Sequence, residues 1–366
     1  MLNNSLKCLL FLLSGVNFVN SFHSIADCLK VRQQIKTSSS PFTASTSLSA
    51  ASPLSRRDAF GVGVATAVTL AGFVPSAAFA DGGVGSSPSS PIIVVGAGGK
   101  TGKLVLEKLK SRGLYAVGLT RDGRDLGIGG TVSYKSGDVT KVDTLQEAFK
   151  GASGVVFTAS ASKKGGDAAH VDYLGVANTA KAALDNQVPR LVVVSSGAVT
   201  RPESIGFKIT NVFGRIMDYK IAGEEVMRAA YASSGTSKST YTVVRPGGLS
   251  DKPSTGAKGV EVSQGDILSA EIGREDVAEV TVAALLSPNA KDATIECYGS
   301  AGETMFGAAT GASKLAKSLP EVPAKFVHRA ETFEGLLEGV LNDKEMAQTG
   351  IVGGYKGTKI EELASL

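Results

Sequence analysis

The 366-residue chain has a formal net charge of +4, yet residues 1–80 hold six of its Lys and Arg (Lys7, Lys30, Arg32, Lys36, Arg56, Arg57) against two acids (Asp27, Asp58), leaving 32 basic and 32 acidic residues beyond them. So balanced a remainder is long enough for one large α/β domain and gives no electrostatic case for a nucleic acid or an anionic membrane as partner. With Cys8 and Cys28 in the first eighty positions, Cys297 alone makes no intramolecular disulfide and no zinc spacing exists, while His170 and His328 are too few for a histidine metal site.

Met1–Phe22 carries Lys7, an apolar core over Cys8–Val16 and small or polar residues at Asn20–Ser21, which reads as a secretory signal. Residues 23–55 are rich in Ser, Thr and Ala with one acid, Asp27, the composition of a transit peptide. Ser55-Arg-Arg-Asp-Ala-Phe60, an apolar run from Gly61 to Val74 and Ala78-Phe-Ala80 then make a twin-arginine export signal over 56–80, cleaved after Ala80. Kept as an anchor, that run of about fourteen residues falls short of the ~20 a spanning helix needs. Three addresses in series resemble the presequences of proteins sent to complex plastids. The resemblance implies endoplasmic reticulum, plastid and thylakoid lumen in turn, with stroma or a thylakoid-membrane anchor as the alternative if the last signal is not cleaved.

Residues 81–90 are a Gly/Ser/Pro linker. The apolar run Ile92–Val95 does not alternate with polar residues and predicts a buried parallel strand. Gly96, Gly99 and Gly102 follow at three-residue spacing, and Leu104-Val-Leu-Glu-Lys-Leu109 has helical apolar spacing that stops at Gly113. Strand, glycine turn and helix in this order open a dinucleotide fold: backbone N–H groups over Gly96, Gly98, Gly99, Lys100, Thr101 and Gly102 lie where a pyrophosphate meets the positive end of a helix. A nucleoside-triphosphate loop fails on spacing, because the glycine it needs five residues before Gly99 is Val94.

A second strand, Tyr115–Thr120, ends at Arg121, where an acid would bind a ribose 2′-hydroxyl and an arginine binds a 2′-phosphate; Arg121 argues for NADP over NAD. Val132–Tyr134 leads to Gly137-Asp138-Val139, where Asp138 either meets an adenine edge or caps a helix over 141–149. Strand four, Gly154–Phe157, runs into Thr158, Ala159 and Ser160, small enough for close approach of the cofactor's ribose. A helix over 169–184 is followed by strand five, Arg190–Ser196, whose serines would face the nicotinamide, then a helix over 216–231 and strand six, Thr240–Gly248. Residues 250–272 read as a substrate-side loop, 274–287 as a helix and Thr294–Tyr298 as a last strand. Alternating strands and helices predict a doubly wound parallel sheet over 91–300. The extension 301–366, with helices at 309–318 and around Phe333–Leu341, covers the cleft or contacts a partner.

Gly96-Ala-Gly-Gly-Lys-Thr-Gly102, Thr120-Arg121, Gly137-Asp138, Val194-Ser-Ser196, Lys220-Ile-Ala-Gly-Glu-Glu225, Tyr241-Thr-Val-Val-Arg-Pro-Gly-Gly248 and Ile272-Gly-Arg-Glu-Asp-Val-Ala278 together resemble the atypical, NAD(P)H-binding branch of the short-chain dehydrogenase/reductases. The resemblance implies a Rossmann fold, NADP(H) as cofactor and a plastid role, in a family of reductases and of non-catalytic factors for thylakoid complexes. Typical members of the superfamily use a Tyr four residues before a Lys, on one helical face. Here Ile216 stands four before Lys220, and Tyr219, its neighbour, points about 100° away. What remains is Ser196 to orient a carbonyl and Lys220 to hold the nicotinamide ribose, unless Lys220 merely pairs with Glu224 one turn on, a contact worth ~0.3–0.5 kcal/mol. Two functions stay open: an NADPH-dependent reductase of a small carbonyl or conjugated substrate, or an NADP-binding assembly or regulatory factor whose partner is a thylakoid protein complex.

Overall fold

The computed structural model describes residues 83–162, 166–212, 214–236, 238–266, 270–300 and 326–350. The predicted targeting segments and the predicted helix at 309–318 lie outside them.

Strand β1 (Ile92–Val95) is buried on both faces, as its unbroken apolar sequence requires. It pairs in parallel with β2 (Ala116–Thr120) on one side and β4 (Gly154–Phe157) on the other. Beyond β2 lies β3 (Val132–Ser136), and beyond β4 come β5 (Arg190–Val194), β6 (Thr240–Pro246) and β10 (Ala293–Gly299), all parallel. Chain order therefore reverses between β1 and β4, the switch point at which ligands bind in open α/β sheets. A short pair, β7 (Leu249–Ser250) with β9 (Ile272–Gly273), stands apart from the main sheet.

The alternation of side chains along each strand divides the core into two layers. Ile92, Val94, Val156, Val192 and Val244 face helices α1 (Lys100–Ser111) and α6 (Arg274–Leu286). Ile93, Val95, Val155, Val193 and Val243 face α2 (Val142–Ala148), α3 (Gly175–Asp185) and α5 (Ile216–Ser234). A short helix, α4 (Ile205–Asn211), precedes α5. This is the expected doubly wound sheet. Among the described residues no helix is long and apolar enough to cross a membrane.

Four local expectations need correction. Residues 250–272 are not all loop: β8 (Val260–Ser263) pairs antiparallel with β10, because Val260 and Val262 alternate with polar residues and bury against the sheet. The predicted helix around Phe333–Leu341 is a single 3₁₀ turn, Gly335–Leu337, and Gly339 is at φ +79°. The helix comes later, as α7 (Asp343–Gln348), where Asn342 and Glu345 form a reciprocal capping box. The predicted helix over 169–184 opens with a π-helical turn, Ala169–Leu174, before α3. Strand five stops at Val194, short of its serines.

Residues 83–90, linker-like in composition, fold back on the sheet. The Gly85 amide donates to Ser153 Oγ at 2.8 Å, and its carbonyl accepts from the Tyr115 amide at 2.9 Å. At the far edge, β11 (Val327–His328) pairs with β8, and Leu336 and Leu337 enter the core.

Candidate functional site

The turn after β1 is glycine for steric reasons that differ by position. Gly96 sits at φ +80°, and a Cβ there would lie 2.6 Å from the Ala159 amide nitrogen. A Cβ on Gly102 would lie 2.4 Å from the Gly96 carbonyl and 2.7 Å from Thr158 Oγ1. These two glycines let β1, α1 and the end of β4 close on one another. Gly98 is different: its nearest neighbour to an added Cβ is Arg124 Nη2 at 3.8 Å, so its open side faces a cavity. Gly99 caps α1 without a side-chain bond, and the first turn of α1 holds no acid. The amides of Lys100, Thr101 and Gly102 thus keep the positive end of the helix available to an anion.

The cavity has a volume of about 690 Å³. Val95, Gly96, Gly98 and Gly99 form one wall; Thr120, Arg121, Asp122 and Arg124 follow β2; Gly137–Thr140 follow β3; Thr158, Ala159, Ser160, Ser162, Gly166 and Val171 close the β4 side. Of the expected cofactor residues, Gly96, Gly98, Gly99, Arg121, Asp138, Val139, Thr158, Ala159 and Ser160 are in this lining. Lys100, Thr101, Gly102 and Lys220 are not in it, and neither is Ser196. The Lys100 ammonium points outward to Asp251, whose other oxygen takes Arg274.

Arg124 was not expected at the site and joins Arg121 at the end of β2. The turn between them is shaped by Asp122, whose Oδ1 accepts from Thr120 Oγ1 at 3.0 Å and from the Arg124 amide at 3.4 Å. Asp138 both lines the cavity and orders its own turn. Its Oδ1 accepts from the Thr140 amide (2.9 Å) and hydroxyl (2.8 Å) rather than capping α2, whose N-cap is Lys141. Partial burial pushes its carboxyl up, but the Thr140 bonds, with Lys141 and Arg121 nearby, hold it below the usual carboxylate range.

Lys220 does not pair with Glu224. Its Nζ lies 2.7 Å from Asp172 Oδ1, and Asp172 is fully buried. Tyr219 packs with Ala168 and Ala222, so its phenol is not beside Lys220. Ser196 Oγ donates to the Gly197 carbonyl at 3.2 Å. Asp172 was missed because the π turn shifts the helix register; the available signal was a carboxylate on the apolar stripe with Val176, Ala180 and Ala183. Glu224 instead faces Ser195, Arg245 and Arg228 in the buried layer between α5 and the sheet. In strand register Arg245, Glu296 and Ser263 form one polar row across β6, β10 and β8, and Ser195 follows the last residue of β5.

A glycine turn and an uncapped helix end at the switch point, opening on a cavity lined from the ends of β2, β3 and β4, define a dinucleotide-binding α/β protein. Residues 96–288 match the NAD(P)H-binding family, and the chain belongs to it. It is similar to the Arabidopsis thaliana protein At2g34460, named as chloroplastic, at 31% identity over 225 residues covering 56% of this chain and 75% of that one. A second Arabidopsis thaliana protein named as chloroplastic, At2g37660, is 33% identical over 227 residues covering 55% and 66%. Among solved structures, the oxidoreductase ylbE of Lactococcus lactis superposes with a TM-score of 0.50 at 18% identity, over 63% of this chain and 97% of that one, a likeness of fold.

Proposed function

We propose that the protein is an NADPH-dependent reductase of a small carbonyl or conjugated substrate. The observation that carries this reading is the cavity's division into a cationic end, with Arg121 and Arg124 after β2, and a small-residue end after β4, joined by the glycine turn. The amides of residues 100–102 would hold the pyrophosphate, and Arg121 and Arg124 the 2′-phosphate that separates NADP from NAD. When bound, the cofactor supplies a hydride. Lys220 holds the nicotinamide ribose, and Ser196 orients the substrate carbonyl from the end of β5.

A second reading is favoured by one specific observation: Ile216 occupies the position of the usual tyrosine acid, and Tyr219 is packed away from Lys220. In that reading the protein is a non-catalytic NADP-binding factor for assembly or regulation of thylakoid complexes. NADPH oxidation by the mature chain across a panel of carbonyls and quinones separates the two. Turnover supports the reductase; micromolar NADPH binding with no turnover supports the factor; no calorimetric heat with NADPH or NADP⁺ removes both.

The chloroplastic names of the two plant relatives and the serial presequence support a plastid location, and the twin-arginine segment supports the thylakoid lumen within it. Sequencing the mature N-terminus tests the finer placement: a start near Asp81 is expected for the lumen, and a start upstream of Arg56 for stroma or a membrane anchor.

A further inference from the structure

Asp172 is a carboxylate buried to 1% exposure, and burial of an acid is costly unless its oxygens are fully engaged. They are. Oδ1 accepts from Ser160 Oγ at 2.9 Å and takes Lys220 Nζ at 2.7 Å, while Oδ2 accepts from the Ala161 amide at 2.8 Å. One side chain therefore ties the loop after β4 to α5.

Two backbone features bring it there. Asp172 lies in the π-helical turn Ala169–Leu174, and such single-turn insertions recur at functional sites. On the facing helix, a Cβ at Gly223 would lie 2.3 Å from the Asp172 carbonyl, so α5 meets the π turn by direct backbone contact. Lys220 precedes Gly223 by one turn and shares its face. A lysine has a flexible four-carbon stem; here the stem is held, with the side chain only 12% exposed.

The donor count specifies a ligand. Lys220, which is not itself in the cavity lining, gives one N–H to Asp172 and keeps two, while Ser160, whose hydroxyl hydrogen goes to Asp172, keeps its lone pairs at the wall of the cavity it lines. Two cationic donors beside an acceptor complement a vicinal diol, each hydroxyl of which both donates and accepts.

We propose that Asp172 is a positioning residue: by fixing Lys220 and Ser160 together it builds the receptor for the ribose diol of the nicotinamide half. This rests on the cofactor reading above.

The test titrates the mature chain by calorimetry with NADPH and with adenosine 2′,5′-bisphosphate, which lacks the nicotinamide half. Loss of a charged hydrogen-bonding partner predicts about ten-fold or more weaker NADPH binding by Asp172→Asn, with bisphosphate binding unchanged. The double variant Asp172→Asn/Lys220→Ala should lose less NADPH affinity than the two single losses combined, because Asp172 acts in part through Lys220. Ser160→Ala, at an exposed position, keeps the test open if Asp172→Asn does not fold; it should weaken NADPH and spare the bisphosphate. Equal weakening of both ligands, additivity with Lys220→Ala, or unchanged NADPH affinity overturns the proposal. Wild-type protein that binds neither ligand overturns the cofactor reading itself.

Discussion

Glu224 grips Arg245 through both oxygens, Oε1 to Nε at 3.2 Å and Oε2 to Nη2 at 2.6 Å, with neither side chain more than 7% exposed. Arg228 adds a third bond to Glu224 Oε2 at 2.9 Å and, through Nε, ties Asp343 of α7 into the same network. Burial opposes the Glu224 charge, but Arg245 and Arg228 outweigh it and hold the carboxyl down at about 2. Removing one partner of such a buried pair leaves an uncompensated charge and costs about 3–5 kcal/mol. Glu224→Ala should therefore lower unfolding free energy by about that amount in urea titrations. A loss below about 1 kcal/mol, the size of a surface pair, would contradict the assignment.

Glu296 stands opposite Arg245 in register, with Oε1 3.3 Å from Nη1. Arg245 is already committed to Glu224. Burial and the neighbouring Asp266 accordingly push the Glu296 carboxyl up to about 8. Its folded value lies above the unfolded 4.5, so the stability it contributes is full below about 4.5 and is lost as pH rises through about 8. Glu224 has the opposite sign: its contribution is present above about 4.5 and is lost as pH falls toward 2. Glu296→Gln keeps the shape and removes the titration. Wild type should lose urea resistance between pH 5.5 and 8.5, by at most ~1.4 kcal/mol per pH unit, and the variant should not. Parallel profiles for the two proteins would show that Glu296 does not titrate in this window.

Arg121→Ala should weaken NADPH binding by about ten- to a hundred-fold, the scale of a charged hydrogen bond, while leaving NADH affinity nearly unchanged. Arg124→Ala is expected to act in the same direction and less strongly, because its guanidinium already lies beside a carboxylate, Nε 3.9 Å from Asp122 Oδ2. Calorimetry with both cofactors checks this; an equal loss of NADH binding would remove Arg121 from the 2′-phosphate.

Gly102→Ala places a methyl 2.4 Å from the Gly96 carbonyl, a backbone atom that cannot rotate aside. Overpacking of this kind costs about 1–3 kcal/mol and shifts the turn. The expected outcome is a lower melting temperature together with weaker NADPH binding. Gly98→Ala, with open space at its Cβ position, should keep its melting temperature and lose affinity only. The pair separates packing from ligand approach.

Much of the cofactor wall was legible because each residue there is local to a strand end. Ile92–Val95, Gly96 and Arg121 can be placed from the strand and turn signals alone, and the two-layer sheet follows from strand–helix alternation. What escaped depends on long-range register. Strand β8 looks like loop in the sequence because its partner β10 lies about thirty residues on in the chain. Glu224 looked like a surface partner for Lys220 because helical spacing says nothing of which face a sheet will cover; Arg245, Ser195 and Arg228 decide that. Asp172 was hidden by a π turn, which no three-residue or four-residue periodicity encodes.

The bonds of Gly85 to Ser153 and Tyr115 have a consequence for maturation. A chain that begins at Gly83 keeps this clasp intact, and the cut proposed after Ala80 would leave it untouched. One trimmed past Gly85 exposes the base of β2 and β4 and strips Ile92 of the chain that shields it. The fold thus sets Gly85 as the point beyond which the N-terminal side cannot be shortened without loosening the base of the sheet.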